Sequence, residues 1–421
     1  MTHAVLRPVA ALFAGVVLLL TGVGLLNTLV PLRAVEAGFS NVFLGGLTSA
    51  YYGGYLLGTF AILPLIARIG HIRAFAFCTA CAACIVLFHA LGIHAWVWLL
   101  LRLLVGIILV GLYTIIESWL NAHAPAAQRG RIFSIYMVLN LGALALGQQL
   151  LHLDAQPFVL FVLVAMLICA ATVPVVTTRQ SQPVSQHAPR LQLMRLYRTA
   201  PTAVIGALMS GLAMGAFWGL QPVYAHEIGF DDATVGTSMS IAILGGAALQ
   251  WPLGRLSDYF DRRLALLACC VAALVLALAA LLLGGRQWPT MGILFLYCGA
   301  AFAVYPIVVA HLVDHLPPEQ ILGASSTVLL LFGIGSATGP LIAGTMMSAL
   351  GGWSLLAWYA LTHGVLALYA GYRYHAFWRA QNDETHFVPM LRTTPAALAM
   401  MPETTVTATG DDTPESEIRP S

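Results

Sequence analysis

Apolar positions fill twelve runs, roughly 8–31, 42–66, 74–93, 95–121, 132–152, 157–176, 201–225, 234–257, 264–284, 288–313, 323–350 and 353–377. Each is about 20 residues or longer, the length at which a helix crosses the hydrocarbon core of a bilayer. The pattern breaks twice. Residues 177–200 are rich in Gln, Ser, Pro and Arg and read as a linker. Beyond Trp378 the chain turns Thr-, Pro- and Glu-rich and reads as a disordered tail. The expected organisation is therefore a bundle over 1–176, a linker over 177–200, a second bundle over 201–377 and a tail over 378–421. The first run is too long for a signal-peptide core and lacks a cleavage site, so it reads as an uncleaved span.

The two bundles are copies of one unit. A gapless slide of 191 positions lays Pro31 on Pro222, Gly38-Phe39 on Gly229-Phe230, Gly45 on Gly236, Ser49 on Ser240 and Cys78 on Cys269. A slide of 192 lays Pro125 on Pro317, Gln128 on Gln320 and Gly147 on Gly339. Such half-chain repetition is a mark of membrane transport folds.

Composition excludes a soluble protein. Of 421 residues, 59% are hydrophobic and 9% charged, with a mean hydropathy of +0.85, against about a quarter charged in soluble domains. Lysine is absent, so all 19 basic residues are arginine, a usage that points to a GC-rich bacterial genome. Arginine placement sets the expected orientation. With both termini in the cytoplasm, Arg33 and Arg286 alone lie outside, while Arg68, Arg73, Arg129, Arg131, Arg255, Arg262 and Arg263 lie inside. The seven cysteines all fall in apolar runs. Cys78, Cys81 and Cys84 share a helical spacing but have no His or carboxylate among them, so they read as packing residues rather than a metal site.

Polar side chains are unevenly shared. The sixth and ninth runs hold almost none and should face lipid. Other runs hold Asn27, Arg102, Glu117, Asn140, Gln148, Gln221 and Tyr305, which must face partners or water. Tyr113, Glu117 and Asn121 stand at i, i+4 and i+8 on one face of the fourth run, with Arg102 near the same face. Two readings of Glu117 stand side by side: a functional intramembrane acid, or a structural ion pair with Arg129. Asn27, Tyr51 with Tyr55, Tyr136 with Asn140, Trp218 with Gln221, and Gln250 could line a pocket, or serve as helix-packing hydrogen bonds. No nucleotide loop, zinc-protease motif or nucleophile elbow is present, and no enzyme activity, cofactor or metal is expected.

Gly254-x-x-x-Asp258 followed by Arg262-Arg263 resembles the loop between the second and third helices of each half of the major facilitator superfamily. The first-half copy keeps Arg68, Gly70 and Arg73 but has Ala67 where the acid belongs. Arg102-x-x-x-Gly106, Gln128-Arg129-Gly130-Arg131 and Gly335 to Pro340 resemble further motifs of that superfamily. Leu26 to Leu32, Glu117-Ser118, Gln250 to Leu256 and Tyr305-Pro306 are similar to its YcaD-like bacterial branch. The resemblance implies an all-α fold of twelve transmembrane helices in two pseudo-symmetric six-helix bundles. It implies an alternating-access carrier of a small solute, without nucleic acid, monomeric, in a bacterial inner membrane. Gly254, Asp258, Arg262 and Arg263, with Arg68, Gly70, Arg73, Arg129 and Arg131, are then gating residues. With no ATP site, an ion gradient, taken as protons, would drive transport. Drug efflux, facilitated diffusion, and a membrane sensor without transport are the alternatives.

Overall fold

A computed structural model describes residues 2–123, 128–153, 155–177, 193–283, 285–314 and 316–384. The described residues are helical, without strands. The linker over 178–192, the tail beyond 384 and the side chain of Arg129 lie outside the described part.

In the first half the helices are α1 Thr2–Glu36, α2 Asn41–Ile69, α3 His71–Leu91, α4 Ala95–His123, α5 Arg129–Gln149, and the pair α6 Pro157–Ala170 and α7 Thr172–Val176. After the short α8, Leu193–Thr199, the second half repeats them. Its helices are α9 Pro201–Glu227, α10 Asp232–Tyr259, α11 Arg262–Leu283, α12 Gln287–Asp314, α13 Pro318–Leu350 and α14 Ser354–Glu384. Residues 1–376 form one body and 377–421 group separately. Among the described residues eleven spans have the length and apolarity to cross a membrane, counting α6 and α7 as one. The twelfth expected span, α14, has comparable length but carries Trp358, Tyr359, Thr362 and His363, which dilute its hydropathy.

The repeat seen in sequence is a repeat of local structure. Gly38 and Gly229 both take a positive φ, at 77° and 93°, which side-chain-bearing residues avoid. Two residues later the N-caps coincide. Ser40 accepts from the Phe43 N–H at 3.4 Å and Asp231 from the Thr234 N–H at 2.9 Å, opening α2 and α10 in the same way. Exposed Trp96, Trp288 and Trp353 begin α4, α12 and α14 at this same end, as an interfacial aromatic belt would.

The halves meet along pseudo-symmetric seams. A Cβ on Gly45 would stand 2.3 Å from the Pro340 carbonyl oxygen, where α2 crosses α13. A Cβ on Gly236 would stand 2.4 Å from the Gln148 carbonyl oxygen, where α10 crosses α5. Only glycine permits backbones this close. One hydrophobic core runs through the first half and into the second at this end of the molecule. The opposite end of the second half has its own separate core, built on Val204, Leu266, Val304, Val308 and Val328.

Candidate functional site

Two arrangements matter: a seal between the halves at one end, and a polar ladder inside the first half.

The seal is built where the α1–α2 and α9–α10 turns face each other. Arg33 pairs with Asp232 across the halves and with Glu36 beside it. The Asn41 amide donates to Glu227 at 2.8 Å, and the Val42 N–H donates to Ser348 at 3.1 Å. On the other seam Gln149 donates to the Ser240 hydroxyl at 2.6 Å, which donates on to the Ala145 carbonyl at 2.8 Å. His152 and Thr237 share a hydrogen bond of 2.9 Å. These contacts join the halves at this end. The deepest glycine contact toward the other end is Leu56 against Gly333. The molecule is thus closed on the face carrying Arg33 and Asp232 and parted on the face carrying the α2–α3 and α10–α11 turns. The sequence reading took Arg33 only as a charge of the outside loops and did not anticipate that Asn41, Glu227 and Asp232 join the seal. The signal was there: the 191-residue slide places Glu36 on Glu227 and Asn41 on Asp232.

The ladder gathers seven of the residues singled out in the sequence. The Arg102 guanidinium sits over the Tyr51 ring, 4.9 Å from its centroid. Tyr51 meets Tyr55 at 6.3 Å, and Tyr55 meets Tyr113 at 6.3 Å. Tyr52, missed in the sequence reading, stands edge-on to Tyr51 at 5.0 Å. Farther along α4, Glu117 accepts a hydrogen bond from the Tyr136 hydroxyl at 3.3 Å. Asn140 lies beside the same phenol. Gly106 makes the close approach possible, since a Cβ there would meet the Tyr51 carbonyl oxygen at 2.0 Å. Glu117 is exposed although protein surrounds it at longer range, as expected of a side chain on the wall of an open cavity. The carboxylate is thus both exposed and bonded to a phenol.

Other expected residues are placed elsewhere. Asn121 is exposed and apart from the ladder, because α4 has by then reached the parted face. Asn27 is half-buried, and its Oδ1 is sealed with no partner. Trp218 packs on Phe217 and Phe302 with centroids 5.4 and 5.9 Å away. Gln221 is buried and accepts from the Tyr359 hydroxyl at 3.2 Å. Tyr359 in turn stacks on Tyr297 at 5.1 Å, and Tyr297 meets His363 at 5.5 Å. This second-half cluster was not anticipated; the i, i+4 spacing of Tyr359 and His363 is its only trace in sequence. Gln250 is half-buried, and Tyr305 packs on Phe332 at 4.7 Å.

At the hinge, Arg262 pairs with Asp258 at 2.9 Å and with Asp314 at the end of α12. Gly254 leaves open space beside it, and Arg263 is half-buried. In the first half Gly70 takes φ 81°, ending α2 and starting α3. Arg68, Arg73 and Arg131 are exposed. Cys78 is buried and Cys84 exposed, and both are free thiols. Among the described residues no cluster of His, Cys, Asp or Glu is placed to hold a metal ion.

Two pseudo-symmetric helical bundles sealed at one end define a membrane transporter. The chain matches the Major Facilitator Superfamily over residues 12–202 and 203–396, and it belongs to that family. It is 32% identical over 347 residues to the uncharacterized MFS-type transporter YcaD of Salmonella typhimurium, covering 81% of this chain and 89% of that one. The fold is similar to that of the nucleoside transporter NupG, at a TM-score of 0.73 and 16% identity over 86% of this chain and 98% of that one. It is also similar to the E. coli fucose:proton symporter FucP, at a TM-score of 0.57 and 18% identity, covering 87% and 98%.

Proposed function

We propose that the protein is a secondary active transporter that carries a small solute across a bacterial inner membrane by alternating access, coupled to protons. Both termini lie in the cytoplasm, so the sealed face is the outer one and this state opens inward. The bundles over 1–176 and 201–377 are the moving bodies, and the chain works as a monomer. The observation that carries the reading is Glu117: one reachable carboxylate on a first-half span, held by a phenol, at the wall of the open cavity. A carboxylate whose access changes as the cavity opens to each side can load a proton on one side and release it on the other. The fucose:proton symporter with this fold supports the coupling. The ladder and the second-half residues Trp218, Gln221, Gln250 and Tyr305 then line the solute pathway, and Asn27 faces it from α1.

The test is reconstitution. A solute found by thermal-shift screening at two pH values is offered to proteoliposomes with and without a proton gradient. Glu117→Gln abolishes gradient-driven accumulation but keeps binding and exchange. A facilitative carrier would show no effect of the substitution. A structural pair with Arg129 would instead lose folded protein, partly restored by removing Arg129 as well. Accumulation at the wild-type level in Glu117→Gln would refute the carrier role.

A further inference from the structure

The far end of the ladder holds a charge with nothing to balance it. Arg102 is 2% exposed, and its Nε and Nη1 are sealed from solvent with no hydrogen-bond partner. The guanidinium lies over the face of Tyr51, which carries no counter-charge. No ion pair reaches it among the described residues. Glu117 is on the same helix but 15 residues away, about 22 Å at the helical rise, too far to neutralise it. A guanidinium confined to a low-dielectric interior without a counter-charge is strongly disfavoured, and chains keep such groups where a ligand supplies the missing charge.

We infer that the solute carries a single carboxylate, and that Arg102 is the group that receives it. This rests on the transport reading above and names the chemistry of its substrate. Three observations fix the class. The two idle nitrogens, Nε and Nη1, are cationic N–H donors, and an anionic oxygen is the acceptor that each of them lacks. The charge is one unit: α4 holds no second arginine and the chain has no lysine. A phosphate dianion would therefore leave charge unbalanced. Tyr51 lies against the guanidinium, and Tyr52, Tyr55 and Tyr113 continue from it as a run of aromatic faces that accepts a flat apolar body rather than a heavily hydroxylated one. An aromatic or similarly flat monocarboxylate meets both demands.

The experiment uses the full-length purified protein and benzoate, its 4-hydroxy and 4-amino derivatives, and neutral benzamide. Thermal stability is followed as each is titrated against the wild type and Arg102→Gln. The carboxylates raise the wild-type Tm and benzamide does not. Arg102→Gln loses the effect, with apparent affinity weaker by roughly tenfold or more, the size of a lost charge-assisted pair. Without ligand, Arg102→Gln melts at or above the wild-type temperature, because an unbalanced buried charge has been removed. A guanidinium that serves packing alone would instead lower Tm on replacement, and that result overturns the inference. So does an equal response of wild type and Arg102→Gln to benzoate, or no response of the wild type to any of the carboxylates. Arg102-dependent binding without gradient-driven accumulation would sink the transport reading and leave this one standing. Accumulation of a neutral solute would do the reverse.

Discussion

Glycine positions separate two kinds of close contact. Gly54 and Gly106 lie inside the first half, where an added Cβ would meet the Leu103 carbonyl oxygen at 1.9 Å and the Tyr51 carbonyl oxygen at 2.0 Å. Gly45 and Gly236 lie on the seams between halves. Overpacking costs typically 1–3 kcal/mol wherever the backbone cannot yield. Inside one half it can be relieved only by unfolding, so Gly106→Leu should cut the yield of folded protein. On a seam it can be relieved by parting the halves. Gly236→Leu should fold and shift the population toward the state open on the face of Asp231, read as longer spin-label distances across that face. Unchanged distances would sink the distinction. The 191-residue slide made Gly45 and Gly236 legible as a pair. It could not say that they meet the opposite half, because spatial neighbours some 295 residues apart, Gly45 and Pro340, leave no local pattern.

The helix ends carry the next predictions. Asp231 caps α10 as Ser40 caps α2. Its hydrogen bonds with Thr234 hold its carboxyl below the usual range. The folded value being the lower one, the charged cap stabilises above the unfolded-chain value, about 3.9, and that stability is lost as pH falls through the folded value. Asp231→Ala should cost about 1 kcal/mol at pH 7 and Asp231→Ser much less. Thermal melts at pH 7 and near pH 3 would check that the gap to the alanine variant narrows in acid. At the other end of α10, Asp258 and Arg262 were read from sequence as a latch. The structure, parted on that face, shows them bonded within the second half and to Asp314. Asp258 is 64% exposed, so the pair itself contributes little stability, about 0–1 kcal/mol. Asp258→Asn should therefore fold normally while favouring the inward-open state. Unchanged spin-label distances across the α2–α3 and α10–α11 face would end the latch idea. Helix number, the repeat and the shared face of Tyr113 and Glu117 were plain in the sequence, since each has a period along one chain segment, whereas Asn121 of the same stripe stands apart. The seal and the Tyr297–Tyr359–His363 cluster were not, since each needs three-dimensional proximity between distant spans.

For the molecule as a whole, the account requires the two faces to take turns. On the α5–α10 seam the present contacts pair Ala145 with Ser240, and His152 with Thr237. Seven residues farther along each antiparallel helix, Val138 and Ala247 occupy the matching positions, and Val138 is 71% exposed. Closing the parted face should bring those two together as the His152–Thr237 contact opens. The decisive measurement is oxidative cross-linking in a background with the seven native cysteines replaced. One variant carries His152→Cys and Thr237→Cys, a second carries Val138→Cys and Ala247→Cys, and a third carries all four. Each pair alone should form a disulfide that stops transport and releases it on reduction. In the four-cysteine protein a given molecule should hold one disulfide or the other. Both disulfides forming together in most molecules, read as a doubly cross-linked mass, would contradict alternating access.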